Sequence, residues 1–257
     1  MKIKLFRDLS VYENAAYYFE KAKKLKKKLQ GMYKALEELD KKIEEARQEI
    51  KRQQEQLERA KKHVEKQEWY ERFNWSFTSE GKLVLIGKDA PQNEVLVRRY
   101  LEPKDLFFHA DIQGASTVIL KKGQEASERE LLEAAQLAAS YSRAWKEGLT
   151  TVNVYAVKPE QVKKASQGEY LGTGGFLIVG ERKWFKHTPL GLKIGLKDGK
   201  LWVVPAISKI DLEKQYWLKP GGPYGKGQLA KKLSPYYNIH PDYFLSRLPA
   251  GKFSLKQ

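Results

Sequence analysis

The 257-residue sequence contains no cysteine. Disulfides, thiolate metal centres and cysteine nucleophiles are therefore excluded. No run of about 18 apolar residues occurs, so no membrane-spanning helix is expected. The opening MKIKLFRDLS also lacks an apolar stretch of signal-peptide length. Histidine is scarce. His63, His109, His187 and His240 stand alone, with no H-x-H or H-x-x-x-H pair, and no metal site is predicted. Acidic residues are too few to balance the basic ones: 32 against 48, a net charge of +16. That is beyond the ~2–8 that solubility asks of a small domain and points to an anionic partner, nucleic acid before a membrane surface.

The charge is unevenly placed. Residues 1–70 carry 19 Lys/Arg and 13 Asp/Glu, residues 71–180 carry 14 of each, and residues 181–257 carry 15 and 5. The excess belongs to the two ends of the chain. Near the first end, Lys21, Lys23, Lys24, Lys26, Lys27 and Lys28 cluster.

Proline is absent from Val11 to Val64 and Gly31 is the only glycine there. Good helix formers fill the segment, with Asp8 or Ser10 available to cap it. Apolar residues recur in a heptad seam that includes Leu25, Leu29, Met32, Leu36, Leu39, Ile43, Ile50 and Leu57. No turn residue breaks its phase, which predicts one continuous coiled-coil helix of roughly 60 residues. In a parallel self-pair, Lys21 would face Lys26 and Lys42 would face Arg47 with no compensating opposite pair. An antiparallel partner is expected instead.

The remainder reads as mixed α+β. Strands are expected at 76–78 and 82–86 around Ser79-Glu80-Gly81, at 105–110 and 116–121 around Gly114, and at 151–157. Further strands are expected at 175–179, with 183–187 continuing that hairpin, and at 192–196 and 201–204 around Asp198-Gly199. Helices are expected at 92–101, after Pro91, and from the Ser127/Glu130 capping box to about Trp145. Residues 220–225 read as a Gly/Pro loop, followed by short helices at 227–233 and 241–248.

On a strand, Asp105, His109 and Asp111 share one face, so acid–base or metal chemistry is one reading and a hydrogen-bonded turn the other. Lys88, Asp89, Gln92 and Asn93 stand at a helix start, where free N–H groups favour either capping or an anion. The glycine-rich run 168–175 lacks the Lys-Ser/Thr ending of a phosphate loop.

WYERF, SEGKLVLIGKDAPQNEVLVRRYL, DLFFHADIQGAS, AASYSRAW and QGEYLGTGGFLI, in that order and spacing, resemble the NFACT RNA-binding domain (NFACT-R) of RqcH- and NEMF-type ribosome quality-control factors. The resemblance spans about 69–188. It implies three parts: a long coiled-coil helix at 1–70, resembling the return arm of the family's coiled coil; an NFACT-R core at 71–188; and a basic, archaeal-like continuation at 189–257. It implies an RNA-binding component of ribosome-associated quality control that is not an enzyme, needs no cofactor or metal and resides in the cytoplasm. The implied partners are rRNA of the large ribosomal subunit, tRNA, and an antiparallel coiled-coil partner, either self or the N-terminal half of an NFACT protein. The sequence has no counterpart of the family's N-terminal NFACT domain and helix-hairpin-helix segment, so tailing of stalled chains by this chain alone is not expected. Where the family reads HADLHGA, this chain has Gln113 for the second histidine.

The candidate RNA-contacting residues are Lys88, Asp89, Gln92, Asn93, Arg98, Arg99, His109, Asp111, Gln113, Lys183, Lys186, Lys226, Lys231 and Lys232. Trp184, Phe185, Trp202, Tyr216 and Trp217 are either stacking surfaces or core. The alternatives are a DNA- or nucleic-acid-binding coiled-coil protein outside the ribosome, and an enzyme using the Asp105/His109/Asp111 face. A fibronectin-binding adhesin role, attached to bacterial relatives, lacks a secretion signal here.

Overall fold

The computed structural model describes residues 3–65, 68–163 and 175–256. It divides into two compact units, residues 1–66 and 67–257.

The first unit is one unbroken helix, α1 (Val11–Glu65), 55 residues long and about 80 Å from end to end. Its start is a capping box: Ser10 Oγ accepts from Glu13 N, and the Glu13 carboxylate accepts from Ser10 N at 2.7 Å. Asn14, nearly buried, ties the preceding residues to the first turn. Its amide donates to the Phe6, Leu9 and Ser10 carbonyls and its oxygen accepts from Phe6 N. Beyond this cap the described side chains of the helix are exposed, Tyr18 excepted. Leu25, Leu29, Met32, Leu36, Leu39, Ile43 and Ile50 are 49–58% exposed. The side chain of Leu57 lies outside the described residues.

The second unit begins with a 3-10 turn at Trp69–Arg72. Strands β1 (Asn74–Phe77) and β2 (Leu83–Ile86) then form a hairpin, and Gly81 supplies the positive φ its turn requires. Helix α2 (Ala90–Arg99) follows, then β3 (Leu106–Ala110) and β4 (Val118–Leu120). The expected capping box starts α3 (Glu128–Ser140). That helix ends earlier than expected, because Ser142 recaps the chain and starts a short α4 (Arg143–Glu147). Next come β5 (Thr151–Val157), β6 (Val162–Lys163), β7 (Leu177–Ile178) and β8 (Lys183–Pro189). The last third holds β9 (Leu192–Lys197), β10 (Lys200–Pro205), β11 (Glu213–Gly225), α5 (Lys226–Tyr237), α6 (Pro241–Arg247) and β12 (Lys252–Lys256).

One antiparallel sheet runs in the order β1-β2-β4-β3-β5-β8 and a second in the order β10-β9-β11-β12. Helix α3 lies between them, in contact with β3, β5 and β8 on one side and β10 on the other. A single apolar core therefore passes from Val84, Phe108, Val154 and Phe185 through Ala134, Leu137 and Ala138 to Ile194, Val203, Leu218 and Phe253. Three polar residues of α3, Glu130, Glu133 and Gln136, are buried with it, and each is used. Glu130 takes Thr78 Oγ1 at 2.6 Å and Lys82 Nζ at 2.7 Å. Glu133 takes Ser79, and Gln136 bridges the Pro189 carbonyl and Ile207 N. A buried carboxylate is stable only when partnered in this way.

Two expectations are overturned. Residues 183–187 do not continue a hairpin with 175–179: β7 pairs with β6, and β8 closes the large sheet beside β5. The Gly/Pro run 220–225 is not a loop but the end of β11, paired with β12. Its register shifts between Pro220 and Tyr224, both opposite Phe253, and this bulge absorbs the proline and glycines.

Candidate nucleic-acid interface

The alternation of β3 and β5 sends Phe108, Ala110, Val154 and Ala156 into the main core. Phe107, Tyr155 and Val157 go to the opposite face, where Val97 of α2, Leu101 just beyond it and the small β6–β7 sheet cover them. At the end of β3, His109 is half-buried. There the register sets His109 opposite Tyr155 and Tyr155 opposite Trp184, an aromatic row across three neighbouring strands. Ring centroids are 5.9 Å apart for His109–Tyr155 and 5.4 Å for Tyr155–Trp184. Trp184 is 41% exposed. The Arg182 guanidinium lies 4.7 Å over Tyr155 and 5.9 Å from the Trp184 ring. A cleft of about 260 Å³ opens here, lined by His109, Asp111, Gln113, Tyr155 and Arg182 among others.

Burial pushes the His109 imidazole below the usual histidine range. The carbonyls of Ala110 and Ala115 and the Asp111 carboxylate pull the other way, and Arg182 adds to the lowering. The imidazole is neutral at neutral pH. The Tyr155 hydroxyl is raised by the same burial.

Asp105 does not join this cleft. It is buried before β3 begins, accepting from Lys121 Nζ at 2.6 Å, Glu102 N at 2.8 Å and Lys122 N at 2.9 Å. The proposed Asp105/His109/Asp111 face is therefore not assembled. Among the described residues no group of three His, Asp or Glu side chains could hold a metal ion.

The polar residues at the start of α2 are engaged within the protein. Asp89 caps the helix by accepting from Gln92 N at 2.8 Å. Gln92 accepts from Lys88 N and donates to the Arg72 carbonyl. Asn93 is buried, and its Oδ1 accepts from Thr117 N at 3.0 Å. Gly87 is obligatory beside it, since a Cβ there would overlap Asn93 Oδ1. The Lys88 side chain remains available. Burial, then repulsion from Arg247 and Lys226, lowers its ammonium pKa, while Asp89 opposes the shift. Lys226 is lowered by burial as well.

Arg247, 2% exposed, stacks 4.0 Å over Trp75 and donates to the Trp75 carbonyl at 2.7 Å. Arg98, Arg99, Lys186 and Lys231 are exposed, without ion pairs among the described residues. Lys183 pairs with Glu128 at 2.7 Å, and Lys232 lies 4.9 Å over the Tyr224 ring. Phe185 is core, and Trp202 stacks on Phe77 at 5.2 Å. Of the candidate aromatics in β8, Trp184 alone is the exposed one. The sequence reading missed Tyr155 and Arg182. Strand parity would have found Tyr155; nothing local marks Arg182. The run 168–174 lies outside the described residues.

Residues 72–180 match the family model described as the NFACT protein RNA binding domain. The chain is 42% identical over 197 residues to the archaeal Rqc2 homolog aRqcH of Methanocaldococcus jannaschii, covering 72% of this chain and 29% of that protein. It is 46% identical over 134 residues to the ribosome quality control complex subunit NEMF homolog of Drosophila melanogaster, covering 50% of this chain and 13% of that one. To the Homo sapiens subunit NEMF it is 39% identical over 121 residues, 46% of this chain and 11% of that one. The chain thus spans less than a third of the length of these relatives. Over residues 72–180 it is similar to the NFACT RNA-binding domain family. Among the described residues no helix is long and apolar enough to cross a membrane.

Proposed function

We propose that this chain is the RNA-binding part of a ribosome quality-control factor and engages rRNA of the large ribosomal subunit, tRNA, or both on stalled nascent-chain complexes. The observation that carries this reading is the NFACT RNA-binding match over 72–180 in a chain of net charge +16. Phosphates supply affinity through Lys88, Arg98, Arg99, Lys186, Lys226, Lys231 and Lys232, and RNA shape supplies specificity. The role is binding without turnover, and a ribosomal partner places it in the cytoplasm. Competition among large subunits, tRNA and duplex DNA tests it. Subunits or tRNA should displace a labelled RNA at concentrations where duplex DNA does not; equal displacement by DNA would favour a nucleic-acid-binding protein outside the ribosome.

The exposed seam of α1 supports a second element of the reading. Leaving it wet costs about 25 cal/mol per Å², and the flanking lysines disfavour parallel pairing. We infer an antiparallel coiled-coil partner, either a second copy of α1 or the N-terminal half of an NFACT protein.

A further inference from the structure

The exposed cations explain attraction to any nucleic acid. They do not explain why an aromatic row that ends in the exposed Trp184 runs beside a cleft with a carboxylate in its wall. An anionic phosphate is a poor occupant of that cleft, because Asp111 stands in its wall. A nucleobase is a good one. It has a flat π-face for Trp184 and the Arg182 guanidinium, and a polar edge for Asp111 and Gln113. The row is built into the sheet register, with His109, Tyr155 and Trp184 in line across β3, β5 and β8. It lies at the sheet's β8 edge, where a single strand has access.

We propose that the cleft lined by His109, Asp111, Gln113, Tyr155 and Arg182, with Trp184 packed against Tyr155 beside it, receives one unstacked base of single-stranded RNA, with guanine preferred. This rests on the RNA-binding reading above and adds its specificity site. A carboxylate only accepts, and guanine's Watson–Crick edge presents adjacent N1–H and N2–H donors that fit it in bidentate fashion. The neutral His109 ring keeps a second full positive charge out of the cleft, so binding there depends on stacking and edge contacts more than on phosphate attraction. Arg182 also walls a second cleft, about 380 Å³, that includes Lys158 and Lys183.

The test uses the full chain, with fluorescence anisotropy of an oligouridine carrying one central guanosine, of oligouridine alone, and of an RNA hairpin. The guanosine strand should bind tighter than oligouridine. Trp184→Ala should weaken it by roughly 5- to 100-fold with an unchanged salt slope, and Trp184→Phe should restore most of the loss. Asp111→Asn should bring the guanosine strand down to the oligouridine level. Trp184 and Asp111 are exposed, so both variants should fold, which circular dichroism verifies. If the chain binds all three RNAs and these variants bind like the parent, the base site is wrong and the RNA-binding reading stands. If the parent binds none of them, both are wrong.

Discussion

At the scale of single residues, His109 and Glu130 mark the two ways this fold treats buried ionisable groups. His109 is kept neutral by burial, so its folded pKa lies below the ~6.5 of an unfolded histidine. On acidification the unfolded chain takes the proton first, and stability falls as pH drops from about 6.5 toward the folded value. Urea unfolding at mildly acidic and neutral pH should show a larger acid loss for the parent than for His109→Gln. Equal losses would mean that the imidazole is not desolvated as described. Glu130 is kept charged. Burial alone would raise its pKa, but Lys82, Thr78 and Ser127 together hold it below the usual range. Glu130→Ala strands Lys82 and Thr78 at the α3 cap. It should cost about 3–5 kcal/mol in urea unfolding, against ~0–1 if the pair behaved as a surface bridge.

At the scale of elements, α1 was the most legible part of the sequence, because a 3–4 apolar spacing without proline has one reading. The hairpins at Gly81 and at Asp198-Gly199 were legible for the same local reason. What the sequence hid was decided by partners far along the chain. The run Pro220-Gly221-Gly222-Pro223 has every local mark of a loop. It is held in β11 because β12 lies against it, close enough that a Cβ at Gly222 would meet Phe253 O and Ser254 at 2.8 Å. Residues 183–187 pair with β5 rather than with their neighbour in sequence, and no local pattern signals that choice. In the site, the turn chemistry of Asp89 was readable, while the Arg182 stack needed the assembled sheet.

The α1 seam carries its own prediction. The isolated chain should sediment as a dimer at about tens of micromolar. Leu36→Asp or Ile43→Asp, at the centre of the seam, should convert it to a monomer without changing the melting of residues 67–257. A monomer with α1 fully helical in the parent chain would refute self-association through the seam.

At the scale of the whole molecule, function rests on how charge is distributed. Residues 181–257 hold a net +10, while residues 71–180, which contain most of the base cleft, hold none. Replacing Lys226, Lys231 and Lys232 by Ala should weaken RNA binding and flatten its salt dependence, by up to ~0.7 in slope for each single-strand phosphate left without its cation. An unchanged slope would place the phosphate-binding cations elsewhere. The most direct measurement is crosslinking of the full chain to large ribosomal subunits that carry a stalled peptidyl-tRNA, with the crosslinked RNA positions mapped to residues. Crosslinks from the Arg182–Lys186 segment and from α5 to rRNA or tRNA are predicted. Crosslinks confined to ribosomal proteins, or the absence of subunit association, would contradict the account.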